Sequence, residues 1–173
     1  MVGEGCYVLD IDEIEEVVLT YTYYKIHNID SCLSHLLQPY LDEYFARQAR
    51  YEKNIVADSI DGVYIPKNLS ECLQQIDHFW TDSLKNEVKN MAEEDFGSTA
   101  HFGFGRWMRN HWGLWGGSRL KKYFNAMGIY HADDMSGIIL RCYHRYLNRK
   151  PIRLGDQIKY YQEYWRKAKE DIK

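Results

Sequence analysis

The stretch HFGFGRWMRNHWGLWGGSRL, residues 101–120, gathers three tryptophans, three arginines, two histidines and five glycines. Guanidinium groups clamp phosphate or carboxylate, indoles stack on bases and rings, and glycine lets a backbone come close to a ligand. If residues 93–112 form one helix, Arg106 and Asn110 share a face, His101 lies with Gly105 and Arg109, and Trp107 stands one turn before His111. Inside such a helix Gly97, Gly103 and Gly105 each cost about 1 kcal/mol relative to alanine. Close approach of another backbone or of a ligand would offset that cost. WGLWGGS then leaves the helix through a glycine-rich turn, where the N–H groups of Gly116, Gly117 and Ser118 form an anion seat beside Arg119. The candidate ligand-binding set is Arg106, Trp107, Arg109, Asn110, Trp112, Trp115, Ser118 and Arg119. The ordinary reading puts the same tryptophans in a core, the glycines at tight helix contacts and the arginines on acidic groups of this chain. GFGRWMRN lacks the third glycine and the preceding strand of a dinucleotide-binding turn, and no P-loop is present.

HADD at 131–134 is a second grouping. His131, Asp133 and Asp134, with His111 or His144, are ligand types for a hard divalent metal or a general acid/base pair. Neighbouring carboxylates on a helix point about 100° apart, so both seldom reach one ion. They also stand where a helix begins, and the macrodipole stabilises Asp there by about 0.3–1 kcal/mol. Capping is the preferred reading, and no metal or cofactor is expected. For an enzyme, the catalytic candidates are His101, His111, Asp133 and Asp134. No GxSxG motif occurs, and Cys142 falls on an apolar helix face, which argues against a cysteine hydrolase. Arg141, Arg145 and Arg149 make a basic stripe with His144 between them; solvent or Asp12, Glu13, Glu15 and Glu16 would balance it.

The elements that must position these groups are helical. Leu69, Cys72, Leu73, Ile76, Phe79 and Trp80 recur at helical spacing, and Asn68 with Glu71 forms a capping box. Leu84, Val88 and Met91 define one face of the next segment. AEEDF supplies an acidic first turn to the helix that carries the opening stretch. GSRLKKYFNAMG predicts a short helix begun near Ser118 and stopped at Gly128. HADDMSGIILRCYHRYLN is expected to bury Met135, Ile138, Ile139, Cys142 and Tyr146. The last helix aligns Leu154, Ile158, Tyr161, Trp165, Ala168 and Ile172. Earlier in the chain, VVLTYTYY reads as helix or strand, SCLSHLLQPYLDEYFARQARYEKN as a helix kinked or broken at Pro39, and ADSIDGVYIPKN as a connector. The fold expected is all-α or mostly α. It comprises a compact multi-helix, basic, Trp/Gly-rich domain at 66–173 and an acidic N-terminal arm at 1–65 that could contain a strand.

At 173 residues with 45% hydrophobic and 27% charged residues, the chain has enough apolar content for a packed core. No apolar run approaches the roughly 18 residues of a membrane span, and the acidic start lacks the pattern of a signal peptide. Cys6, Cys32, Cys72 and Cys142 are scattered without a CxxC pair, which suits reduced thiols and a cytoplasmic location. The net charge of −3 hides an asymmetry: residues 1–65 carry −8 and residues 66–173 carry +5. A pI of 6.2 disfavours a dedicated nucleic-acid binder.

The block running from IPKNL through HFGFGRWMRNHWGLWGGSRLKKYF, GIYHADDMSGIIL and YHRYLN to YYQEYW resembles a family of bacterial domains of unknown function, over residues about 65–165. The resemblance implies a bacterial or phage origin and a self-contained helical domain, and brings no reaction with it. The functional expectation is a non-enzymatic binding protein whose Arg/Trp/Gly surface captures a nucleotide-like anion or an acidic partner protein, in the manner of a toxin-neutralising or phage-conflict protein. The alternatives are an enzyme on a phosphorylated or nucleotide substrate, with His acid/base and an Arg clamp, and a homo-oligomer interface built on WGLW.

Overall fold

A computed structural model of the chain describes residues 33–170, together with residues 18, 19 and 22. The chain forms two compact units, Met1–Arg50 and Tyr51–Lys173. In the VVLTYTYY stretch, the described Val18, Leu19 and Thr22 are helical, and Thr22 Oγ1 donates to the Val18 carbonyl at 2.7 Å. The rest of that stretch, and the acidic residues Asp12, Glu13, Glu15 and Glu16, lie outside the described residues. Helix α1 (Leu33–Asn54) continues through Pro39 instead of ending there. Gln38 to Asp42 at 2.7 Å and Arg47 to Glu43 at 2.8 Å support its exposed side one turn apart.

Beyond α1, residues read as a connector pair instead as a hairpin, β1 (Ser59–Ile60) against β2 (Val63–Tyr64), with Ser59 opposite Tyr64. Asp61 and Gly62 have φ of 50° and 79°, the left-handed pair that a tight hairpin turn requires. Six α-helices follow in the order α2 (Leu69–Phe79), α3 (Asp82–Asn90), α4 (Glu93–Ala100), α5 (Arg106–His111), α6 (Arg119–Asn125) and α7 (Ala132–Leu147), and α8 (Leu154–Glu170) closes the described chain. Between α4 and α5 a single π-helical turn, His101–Gly105, keeps the backbone helical from Glu93 to His111. This fits the expected mostly-α class.

Local chemistry explains the boundaries. Asn68, Thr81 and Ser118 accept backbone N–H bonds as N-caps of α2, α3 and α6, and Gly128 at φ 75° ends the α6 segment. Glu71 completes the α2 cap by accepting from the backbone N–H of Lys67 at 3.0 Å and from the Tyr64 hydroxyl at 2.9 Å. Burial by itself would raise this carboxyl. Bonds from the Lys67 N–H and ammonium and from Tyr64 override it and hold the group down at about 2. A carboxylate depressed from 4.5 to about 2 stabilises the fold fully above the upper value and loses that contribution as pH falls through the window. Thermal melts between pH 5 and pH 2 should therefore show a steeper loss of Tm for the wild type than for Glu71→Gln.

Helix α7 is the hub. It packs against α2, α3, α4, the π-turn, α5, α6 and α8. A helix covered on so many sides buries more than one stripe, and periodicity alone misplaced two of its residues. Tyr146 is exposed while Tyr143 is buried. His144, expected on the polar side, is buried, stacks on Phe96 and hydrogen-bonds the Met91 carbonyl at 3.0 Å. Cys142 is core as expected; burial raises its thiol to about 11, and Gln157 donates to its Sγ at 3.2 Å.

Candidate functional site

The helix–π-turn–helix run aims Arg109 inward. It is 5% exposed. Its Nε donates to Asp133 Oδ1 at 2.9 Å, Nη1 to Ser136 Oγ at 2.9 Å and Nη2 to the His101 carbonyl at 3.2 Å. Gly105 makes room for this guanidinium: a Cβ there would lie 3.2 Å from Nη1 and 3.2 Å from the Ala100 carbonyl. The close approach expected at this glycine is made by the protein's own arginine. Arg109 therefore braces the π-turn against α7 and presents no free donor face to solvent.

The three-arginine clamp does not assemble. Arg119 turns to the hairpin, where Nε donates to the Ile65 carbonyl at 2.7 Å and the guanidinium sits 4.9 Å over the Tyr64 ring. Arg106 and Asn110 lie exposed on the other side of α5. Ser118, expected in an anion seat, is buried and its hydroxyl accepts the Lys121 N–H as a cap. The Gly117 N–H is spent on the Gly113 carbonyl at 3.0 Å, and at φ 105° this glycine lies so close to Tyr51 that a Cβ would overlap the ring. The tryptophans separate by depth. Trp112 is fully buried. Trp107 is half-buried in a stack, 5.3 Å from Phe104 and 4.8 Å from His111, with His111 Nδ1 on the Trp107 carbonyl. Trp115 alone of these three is exposed.

What the fold brings together is the HADD segment and its neighbours. His101 Nε2 lies 3.7 Å from Asp133 Oδ1, and His131 Nδ1 lies 3.6 Å from Oδ2, so two half-exposed imidazoles flank a carboxylate that Arg109 already holds. Asp134 points elsewhere, as the 100° rule requires. It accepts the Trp165 indole N–H at 2.7 Å. Burial raises the Asp134 carboxyl, opposed by this bond and by His131. His131 in turn meets the edge of Trp115 at 5.7 Å and the ring of Trp165 at 5.6 Å.

Beside His131 opens a cavity of about 650 Å³, lined by Gly128, Tyr130, His131, Gln162, Trp165, Arg166 and Lys169. Two aromatic walls, an imidazole and two cationic side chains face one space large enough for a small molecule. Gln162 Nε2 donates to the Met127 carbonyl at 2.8 Å and so fastens α8 to the loop after α6. Arg166 Nη1 bonds Glu170 Oε1 at 2.7 Å, an exposed pair one turn apart of the kind that contributes little. Tyr130, Gln162, Arg166 and Lys169 were not among the sequence candidates, and Trp165, expected only on the apolar stripe of the last helix, is exposed here. Their signal is faint: Tyr130 follows the stop glycine, and Trp165 with Lys169 stands one turn apart on α8.

The basic stripe on α7 has part of its counter-charge within the same unit, with Arg149 left exposed. Arg145 forks onto Glu93 with Nε at 2.9 and 3.0 Å and Nη2 at 2.8 Å, and Arg141 Nε reaches the same carboxylate at 4.0 Å. No helix among the described residues is long and apolar enough to cross a membrane.

Residues 65–147 match a family described as Domain of unknown function (DUF6794). The match ends at the last residue of α7, so α8 and its share of the cavity lie beyond it. Neither a curated protein nor a solved structure matches the chain.

Proposed function

We propose that this protein binds a flat, anionic small molecule of nucleotide size in the cavity between the Gly128–His131 loop and α8. One observation carries the reading: the Tyr130 and Trp165 rings converge with Arg166, Lys169 and His131 on about 650 Å³. Aromatic walls hold a base or ring by stacking, and the cations at the rim take its phosphate or carboxylate. An acidic protein partner is less favoured, because Glu93 already pairs with Arg145 and reaches Arg141, which leaves Arg149 exposed at the end of that stripe.

Calorimetry with nucleoside monophosphates tests this. Binding is expected for the wild type and should weaken about fivefold to a hundredfold in Trp165→Ala, since stacking contributes about 1–3 kcal/mol. Trp165→Phe keeps the stack and loses only the bond to Asp134, so it should bind nearly as well. A panel of nucleotides that gives no heat and no thermal shift refutes the proposal.

A further inference from the structure

His131 faces two neighbours that demand opposite protonation states. As N-cap of α7, its Nδ1 accepts the Asp133 backbone N–H at 3.3 Å, which requires a bare lone pair. The Asp133 Oδ2 carboxylate oxygen lies 3.6 Å from that same nitrogen, an approach that is favourable only when Nδ1 carries a proton. A neutral ring, its proton on Nε2, caps the helix. An imidazolium must release the N–H and pair with the carboxylate. The ring that makes this choice also lines the cavity.

We infer that His131 is a proton-operated latch on the cavity, taking up a proton as an anion enters and exchanging its helix cap for the Asp133 carboxylate. The surrounding charges give the direction. On the side of α7, Asp133 favours the imidazolium, with Asp134 held one residue away on Trp165. Asp133 Oδ1 is taken by Arg109 from α5 and approached by His101 from the π-turn, which leaves Oδ2 for His131. From α8, Arg166 and Lys169 line the same space and oppose a third positive charge while the cavity is empty; Arg166 is partly offset by Glu170. An anion that neutralises the α8 pair removes the opposition. Binding and protonation then reinforce one another, and the site grips its anion more tightly as pH falls.

The inference rests on the cavity reading for its anion, and the experiment separates the two. Side-chain ¹⁵N NMR of the ligand-free full chain should show the Nε2–H tautomer of His131 at pH 8. Protonation of the ring on acidification should move the Asp133 amide in step. With AMP as the probe, calorimetry in buffers of different ionisation enthalpy should give proton uptake by the ring, up to one per AMP bound, with affinity rising by up to about tenfold per pH unit. His131→Asn, whose side-chain oxygen still caps a helix, should bind AMP without that uptake. The difference between the two chains isolates the ring from the phosphate's own titration. Equal uptake in both, or an Nδ1–H tautomer at pH 8, overturns the latch. Absence of AMP binding at every pH overturns the proposed function and with it the anion-coupled uptake, while the ligand-free titration still decides whether the ring exchanges its helix cap for Asp133.

Discussion

Trp112→Ala is expected to lower the free energy of unfolding by about 3–5 kcal/mol, the range for emptying a buried tryptophan site. Trp112 is 0% exposed. Its ring meets Trp107 edge-on at 5.9 Å and Phe104 at 6.5 Å, while its backbone N–H closes the last turn of α5 on the Met108 carbonyl at 2.8 Å. The glycine-rich turn that follows cannot collapse into the space, because Gly113 and Gly117 hold positive φ and Gly117 is pressed against Tyr51. Trp112→Phe should be far milder, about 1–2 kcal/mol. The indole Nε1 has no hydrogen-bond partner among the described residues, so the ring swap removes volume without leaving an acceptor unpaired. Urea unfolding followed by circular dichroism checks both. Equal losses for the two variants would show that the indole N–H matters and that the cavity argument is wrong.

Arg109→Ala should cost about 2–4 kcal/mol, through the loss of one donor group that serves three acceptors. Truncation takes the guanidinium donors away from the His101 carbonyl and from Ser136 Oγ, which keeps its own bond to the Asp133 carbonyl at 2.9 Å, and leaves Asp133 without its cation. Asp133 is half-exposed and recovers some hydration, which keeps the figure below that of a sealed ion pair. Arg109→Lys retains the charge but cannot fork to three partners, and should still lose about 1–2 kcal/mol. An arginine serving only a ligand would behave in the opposite way, with wild-type stability and lost binding. Chemical denaturation of the ligand-free chain distinguishes the two. Wild-type stability in Arg109→Ala would mean that the brace between the π-turn and α7 is not made.

What the candidate stretch could not show from its own spacing is which of its faces met solvent. Read as one regular helix, residues 93–112 group His101 with Gly105 and Arg109, and the structure keeps the three together across the π-turn: His101 and Arg109 both reach Asp133 Oδ1, and a Cβ at Gly105 would meet the Arg109 guanidinium. Whether that face or the one carrying Arg106 was covered depended on α7, which brings Asp133 and Ser136 from outside the stretch. The hairpin is a different case. Asp61–Gly62 is a recognisable turn signal, and reading it as connector missed a feature that was present.

What the residues determine by themselves is the set of local elements: helix periods, the caps at Asn68, Thr81 and Ser118, the stop at Gly128 and the inert thiol of Cys142. These depend on neighbours within one or two turns, whose distances the backbone fixes. Tertiary packing alone decided which charges were consumed and which were left. Arg109 met Asp133, Arg145 met Glu93 and Arg119 met Ile65, over separations of 24, 52 and 54 residues. The cavity likewise joins the loop after α6 to the far half of α8. Ion pairs and hollows form between surfaces, and surfaces meet only when the helices pack.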